Sequence, residues 1–298
     1  MLVTGAEGFL GRALVRLLEP SAQRVIALDT CEPEPSAEQT RVTKVGCDIT
    51  DRVELERVFR EHDLGKVAHL AAILPTAAQR DPVRATAVNL DGSLNLLELA
   101  QQFGVTRFGF GSSLSIYGSC SPDHIISETH RAAPEDVYGA AKLYVEQLGN
   151  AFADSGGPQF VSLRIGRVVG AGARSKTSAW RSEIFELLRT DRPANITLPY
   201  VGAERILLLH VDDAAGALMT LLEAPRPAHR IYNAPCKSWV VNDLKLQLES
   251  LNPNLRVTLG DAYAKGNPRL LDCSRFQNEF GFANVMLAEK LRQAASQS

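Results

Sequence analysis

The chain has 298 residues, 45% hydrophobic and 22% charged, with a formal net charge of −2, so it can bury a large core unaided and has no global attraction to nucleic acid or an anionic membrane. Its five cysteines, at 31, 47, 120, 236 and 273, are odd in number and lack any C-x-x-C spacing; they read as free thiols of a cytoplasmic protein, with no disulfide framework and no metal expected. No apolar run reaches the ~20 residues that span a bilayer.

The N-terminal stretch MLVTGAEGFLGRALVRLL is apolar but broken by three glycines, and no basic region leads it. It reads as structure and not as a signal peptide. Strands are expected at Met1–Val3, Val25–Leu28, Val42–Val45, Val67–Leu70, Arg107–Phe110 and Phe160–Ile165, with helices near 9–19, 51–61, 82–103 and 136–154. The first strand is short, either an abbreviated edge or the remnant of a misplaced start. Such alternation predicts an α/β fold, a Rossmann-type doubly wound parallel sheet with helices on both faces. After 165 the texture changes. Residues 171–204 read as loop around one helix, 178–188. A strand at 206–210 and a helix at 211–222 follow, and the remainder reads as a smaller mixed C-terminal lobe for substrate. The expected division is 1–165 plus 205–225 for the cofactor and 166–204 plus 226–298 for the substrate.

Thr4-Gly5-Ala6-Glu7-Gly8-Phe9-Leu10-Gly11 lies where the first strand ends and a helix begins. Gly5 permits a tight turn, Gly8 lets backbone approach a pyrophosphate, and Gly11 lets the helix pack closely on the strand. Free N–H groups and the helix dipole favour the phosphate charge there. Asp29 ends the second strand eighteen residues beyond Gly11, where an acid can bond both ribose hydroxyls of NAD and repel a 2′-phosphate. Asp48 and Ile49, after the third strand, are placed either to flank the adenine or, for Asp48, to cap the helix at 51–61.

Tyr138 and Lys142 stand four apart on a predicted helix, hence on one face. A free tyrosine has a pKa near ~10. A neighbouring ammonium and an oxidised nicotinamide both favour the phenolate, which would then serve as a base. Gly111-Ser112-Ser113-Leu114-Ser115-Ile116-Tyr117-Gly118 follows the strand at 107–110, so its hydroxyls fall where open α/β sheets bind ligands. Ser113 is the candidate partner of Tyr138 on a substrate oxygen.

The set TGAEGFLG, HLAA (69–72), GSSLSIYG, YGAAK and LLLHVDDAAGAL resembles the extended short-chain dehydrogenase/reductases, the NAD-dependent sugar epimerase/dehydratase group, over nearly the whole chain to Leu271-Asp272-Cys273-Ser274-Arg275. The resemblance implies Tyr138 as general acid/base, Lys142 as its electrostatic partner and Ser113 as the residue that orients the substrate hydroxyl. It places Gly5, Gly8, Phe9, Leu10, Gly11, Leu70, Ala71 and Ala72 along NAD, and makes Asn89 a support of the active-site helix. Ser115 and Tyr117 fall on the substrate side. The resemblance also implies a homodimer through the helices 82–103 and 136–154. Each of these carries two apolar stripes, one of which needs cover from a second copy or from a C-terminal segment.

Departures narrow the chemistry. Ser113-Leu114-Ser115 lacks the Asp-Glu pair of sugar dehydratases, so oxidation/reduction or epimerisation remains. In the R-x-x-N-x-x-G stretch of nucleotide-sugar relatives, Arg167 takes the asparagine position, and the G-D-G stretch is missing; Arg205 still matches an arginine that meets substrate phosphate. Residues 164–205 carry eight basic side chains against four acids, a net of +4. Arg167 and Arg174 are candidates for an anion clamp, or these are solvated charges. The expected function is hydride transfer at a secondary alcohol of a sugar or nucleotide sugar. The alternatives are a dehydrogenase of a free sugar acid and a non-catalytic NAD-binding protein.

Overall fold

A computed structural model describes residues 1–20, 24–31, 41–121, 123–173, 178–281 and 287–296. In chain order its first half holds β1 (Leu2–Thr4), α1 (Phe9–Leu18), β2 (Val25–Asp29), β3 (Val42–Gly46), α2 (Arg52–Glu61), β4 (Lys66–His69), α3 (Pro75–Arg80), α4 (Pro82–Thr86), a π-helical turn (Ala87–Asp91), α5 (Gly92–Gln102), β5 (Arg107–Ser113) and a 3₁₀ turn (Leu114–Tyr117). Then come β6 (Ile125–Ile126), α6 (Val137–Asp154), β7 (Gln159–Ile165), β8 (Arg167–Val169), α7 (Trp180–Leu187), β9 (Ala194–Tyr200), β10 (Arg205–His210) and α8 (Val211–Glu223). The chain continues through β11 (Ile231–Asn233), β12 (Lys237–Val240), α9 (Val241–Leu251), β13 (Leu255–Ala262), β14 (Leu270–Leu271), α10 (Ser274–Phe280) and α11 (Leu287–Ala295).

Seven parallel strands form the main sheet in the order β11-β7-β5-β4-β1-β2-β3. This is the expected doubly wound arrangement, with the order reversing between β1 and β4. A crevice opens there beyond the strand ends, and in open α/β sheets it is where ligands bind. β1 is a central strand and not the abbreviated edge that its length suggested. Its three residues are wholly buried between β2 and β4.

Each sheet face has its own core. On one side, Leu14 and Leu18 of α1 pack with Ala214, Leu218 and Leu222 of α8 over Val3 and Leu163. On the other, Leu55 and Phe59 of α2, Leu96 and Leu99 of α5 and Val145 of α6 cover Leu2, Val67 and Phe108. A third core gathers α7, α9 and α11 around β9, β10 and β13 through Trp180, Ile184, Ile206, Leu244 and Leu291.

Three expectations are corrected. The helix expected over 82–103 is present as one continuous run, α4, the π turn and α5 joined through αR residues, but a further helix, α3, precedes it where no element was expected. The prolines explain this. Pro75 and Pro82 each open a helix, where their missing N–H costs nothing, and the Asp81 side chain caps α4 by accepting from Arg84 N–H at 2.9 Å. Second, 171–204 is not mostly loop, because β9 pairs with β13 in parallel from Ala194↔Leu255 onwards. Ile196 and Leu198 alternate inward there, a strand period hidden between Pro193 and Pro199. Third, the strands cross the expected division of the chain. β11 joins the main sheet, and β10 pairs with β8 and β12 in a separate three-stranded sheet.

Candidate active site

The turn after β1 is built on contacts that only glycine allows. Gly5 adopts φ +68°, and a Cβ there would lie 2.7 Å from Ala71 N. A Cβ on Gly11 would lie 2.0 Å from Gly5 O, and one on Gly8 2.9 Å from the same oxygen. The first turn of α1 therefore rests directly on the backbone of the loop. Phe9 and Leu10 are half-buried against the core of that face. Asp29 accepts from Glu7 N–H at 2.9 Å through Oδ2 and from Thr30 N–H at 2.8 Å through Oδ1. A carboxylate has about four acceptor sites, so capacity remains for ribose hydroxyls. Lys44, on neighbouring β3, is held by Glu7 at 3.0 Å. The glycine cradle and the acid at the end of β2 fit a dinucleotide.

Asp48 does not cap α2. Its Oδ1 accepts from Thr50 N–H and the Thr50 hydroxyl at 3.0 and 2.8 Å, and the cap is Asp51, which accepts from Val53 and Glu54 N–H. Ile49 is buried, with its side chain where a Cβ on Gly92 would fall.

A buried chain of hydrogen bonds links β1, β4 and the π turn. Leu70 and Ala71 N–H both reach Thr4 Oγ1, at 3.2 and 3.3 Å. The Thr4 hydroxyl proton is therefore free for His69 Nδ1 at 2.8 Å, which leaves Nε2–H to meet Ser93 Oγ at 2.9 Å. Ser93 in turn donates to Asn89 O at 2.7 Å. Burial, with Lys142 nearby, pushes the His69 pKa down to about 3, so the ring is neutral as this tautomer requires. The Asn89 side chain bonds Ile73 N and O at 2.7 and 3.0 Å, fixing the loop after Ala72. Asn89 thus supports the β4 loop, and its side chain meets the Ile73 backbone and not α6. A π turn is often found at functional sites.

Tyr138 opens α6, which Asp136 caps by accepting from Gly139 N–H at 2.6 Å. A Cβ on Gly139 would lie 2.6 Å from Ser115 O, so glycine lets α6 sit against the 3₁₀ turn after β5. This brings the Ser113 hydroxyl beside the Tyr138 phenol, near enough to favour its ionised form. Ser113 also bonds Ser115, hydroxyl to hydroxyl, at 3.1 Å. The Tyr138 ring packs against Ala78 of α3 and Ala85 of α4, with Ala72 and Ile73 beside them. Lys142 Nζ donates to Gly111 O at 2.7 Å and lies 4.5 Å from the Phe110 ring centroid and 5.6 Å from that of Tyr138.

The electrostatics of this trio differ from expectation. Burial pushes the Tyr138 phenol up to about 12, only partly offset by the neighbouring Ser113 hydroxyl, and pushes the Lys142 ammonium down to about 7. One Lys142 proton goes to the Gly111 carbonyl, and burial outweighs any charge that would lower the phenol.

Two expected substrate residues stand elsewhere. Tyr117 is fully buried, its hydroxyl donating to Asn233 Oδ1 at 2.8 Å and accepting from Arg164 Nη1 at 2.7 Å. Arg164 is spent on the fully buried Glu146 of α6, at 2.6 Å. Arg205 is exposed at the start of β10. Arg167 is buried in β8, with Nη2 donating to Lys265 O at 3.3 Å. Arg174 lies outside the described residues. Sequence reasoning missed Arg12, which donates to Glu7 O and Gly172 O and so ties the phosphate turn to the loop after β8.

A sequence model described as the NAD dependent epimerase/dehydratase family matches residues 1–234. A UDP-glucose 4-epimerase of Erwinia amylovora is 32% identical over 182 residues, 57% of this chain and 54% of that protein, so the chain aligns with about half the length of this relative. An uncharacterized epimerase/dehydratase of Staphylococcus haemolyticus is 24% identical over 95% of this chain and 92% of its own. Among solved structures, the GalE-like L-threonine dehydrogenase of Cupriavidus necator, in holo form, superposes with a TM-score of 0.87 at 25% identity, covering 100% of this chain and 99% of that one. The UDP-glucose 4-epimerase of Thermus thermophilus in complex with NAD gives 0.81 at 25%, covering 99% and 97%. The chain belongs to the NAD dependent epimerase/dehydratase family, within the extended short-chain dehydrogenase/reductases, and is an enzyme whose cofactor is NAD.

Proposed function

We propose that the chain moves a hydride at a secondary alcohol of a sugar or nucleotide sugar, with Ser113, Tyr138 and Lys142 as its catalytic residues. The observation that carries this reading is the meeting of Tyr138 with Ser113 at the C-terminal end of β5, with Lys142 one helical turn away. Gly5, Gly8, Phe9, Leu10, Gly11 and Asp29 would hold the dinucleotide, Asp48 and Ile49 would flank its adenine, and Leu70, Ala71 and Ala72 would lie along it, with Asn89 holding their loop. Held by these residues, NAD would supply a reversible hydride acceptor for the carbinol carbon.

The chain's residues handle the proton. Tyr138 Oη exchanges it with the substrate oxygen, and Ser113 shares that oxygen's charge by hydrogen bonding. A phenol pushed up to about 12 holds its proton at neutral pH, the state from which a proton passes to a carbonyl oxygen, and a positive nicotinamide beside it would draw the value back toward the working range. Lys142, held by Gly111 O, keeps a positive charge at the floor of the site below about pH 7.

A second reading, a dehydrogenase of a sugar acid, is favoured by Arg167, a buried cation beyond the catalytic trio. The residues 1–165 with the α8 segment would carry the cofactor, and those around the third core would carry the substrate. The active form we propose is a cytoplasmic homodimer.

A panel of nucleotide sugars, free sugars and sugar acids with NAD tests this, read at the NADH absorbance and by chromatography. An isomerised sugar without net NADH marks an epimerase, and net NADH from a sugar acid marks the second reading. An intact NAD complex inert toward every alcohol would leave a binding protein.

A further inference from the structure

Among the described residues, three enclosed guanidinium groups are held by several polar partners. Arg164 is paired with Glu146, Arg269 with Glu204 at 2.5 Å, and Arg107 donates to the carbonyls of Leu221 and Pro225 and to Gln159. Arg167 and Arg181 are different. Arg167 is 8% exposed; its Nη2 donates to the Lys265 carbonyl, and its guanidinium carbon lies 5.9 Å from the Tyr200 ring centroid. Arg181, the second residue of α7, lies over the Trp180 ring at 5.9 Å, that ring meets Tyr200 edge-on at 6.2 Å, and the buried Arg181 Nε has no partner. Among the described residues no carboxylate forms an ion pair with either. The two cations feel each other, since burial and Arg167 together lower the pKa of Arg181.

Such a pair is costly. An unpaired charge taken from water costs several kcal/mol, and a like charge beside it adds to that. An oxyanion between the two would remove the cost, and the planar N–H fork of a guanidinium matches a carboxylate or phosphate edge.

The pair also stands beside the catalytic residues. A Cβ on Gly166, just before Arg167, would lie 3.0 Å from Leu114, the residue after Ser113, so β8 runs close to that turn. The carbonyl that Arg167 bonds belongs to Lys265, and the next residue, Gly266, donates its N–H to Ser119 Oγ at 3.0 Å. Gly170 N–H meets Arg181 O at 3.0 Å, which brings the start of α7 to the end of β8. β8, the start of α7 and the Lys265–Gly266 segment therefore come together beside the Ser113–Ser119 turn.

We infer that Arg167 and Arg181 form a paired seat for an oxyanion, carboxylate or phosphoryl, carried by the substrate. The natural alcohol is then an anionic one. This rests on the function proposed above.

The test is calorimetric titration of the NAD-loaded protein with sodium acetate and with inorganic phosphate at constant ionic strength, on the wild type, Arg167→Met, Arg181→Met and Arg181→Lys. The wild type should bind at least one anion saturably, each methionine variant at least tenfold more weakly, and Arg181→Lys in between. Acetate alone would identify a carboxylate seat, and phosphate alone a phosphoryl seat. Without added anion, Arg181→Met should melt at or above the wild-type temperature, because an uncompensated charge has gone. No saturable binding, equal binding by the variants, or a marked fall in the melting temperature of Arg181→Met would overturn the inference. NAD binding and Tyr138-dependent oxidation of neutral alcohols, measured on the same preparations, show whether the enzymatic reading stands without it.

Discussion

His69 shows how a side chain remote from the substrate sets the floor of the site. Its neutral ring joins Thr4, which receives the N–H groups of Leu70 and Ala71, to Ser93 and through it to the π turn. Protonation would give Nδ1 a hydrogen directed at the Thr4 oxygen and place a charge in the core. The folded pKa is depressed to about 3 from 6.5, so the neutral state's contribution is present above pH 6.5 and is lost as the pH falls through 6.5 towards 3. Between pH 7 and 5 this amounts to about 2 kcal/mol of unfolding free energy. Urea unfolding at both values should show that extra loss in the wild type and not in His69→Gln. At this scale the sequence was legible where chemistry follows spacing. Gly5, Gly8 and Gly11, and Tyr138 with Lys142, declare themselves by position along one turn or helix. Tyr117 did not, because its role is set by Arg164 and Asn233, which the fold alone brings to it.

At the scale of elements, α6 is the part that must be held in register, since Tyr138 and Lys142 ride on it. Glu146, one turn beyond Lys142, is wholly buried and accepts from Ser162 and Arg164 of β7 at 3.0 and 2.6 Å. That polar lock pins the helix to the sheet at one height, where apolar packing alone would permit sliding. Removing one partner leaves the other charge buried and alone, so Arg164→Met should cost about 3–5 kcal/mol in urea unfolding. Adding Glu146→Gln should recover most of it, whereas additive losses would show that the two do not act as a pair. The elements around this lock were read correctly from periodicity because each is long or strongly patterned. Those missed, α3, β6, β8, β9, β12 and β14, are mostly short and either proline-bounded or completed by a distant partner. β9 is stable only as the neighbour of β13, some sixty residues on in sequence, a pairing no local window contains.

For the whole molecule, the order β11-β7-β5-β4-β1-β2-β3 puts the glycine turn, the Leu70–Ala72 loop and Ser113 at one end of adjacent strands, so the crevice is a consequence of topology. Alternating strands and helices made that architecture legible from the sequence. The placement of the third core and of the Arg167–Arg181 pair was not legible, since both depend on segments far apart in the chain. One apolar surface remains. Val137 and Tyr144 of α6 are 37% and 56% exposed, Ala140 and Ala151 continue their line, and Val83 of α4 is 80% exposed. This face mixes the two stripes expected on α6, because Ala141 turned inward. A second copy covering it would give a dimer by sedimentation, and Val83→Glu with Tyr144→Glu should yield a monomer that keeps NAD. A monomeric wild type would contradict that assembly. The account as a whole depends on the proton held at Tyr138 Oη. It is tested most directly by comparing wild type and Tyr138→Phe for NAD binding and for turnover of an alcohol that the wild type accepts. The account predicts unchanged NAD affinity with turnover reduced by about 100-fold or more. Turnover within a few-fold of wild type in Tyr138→Phe would contradict it.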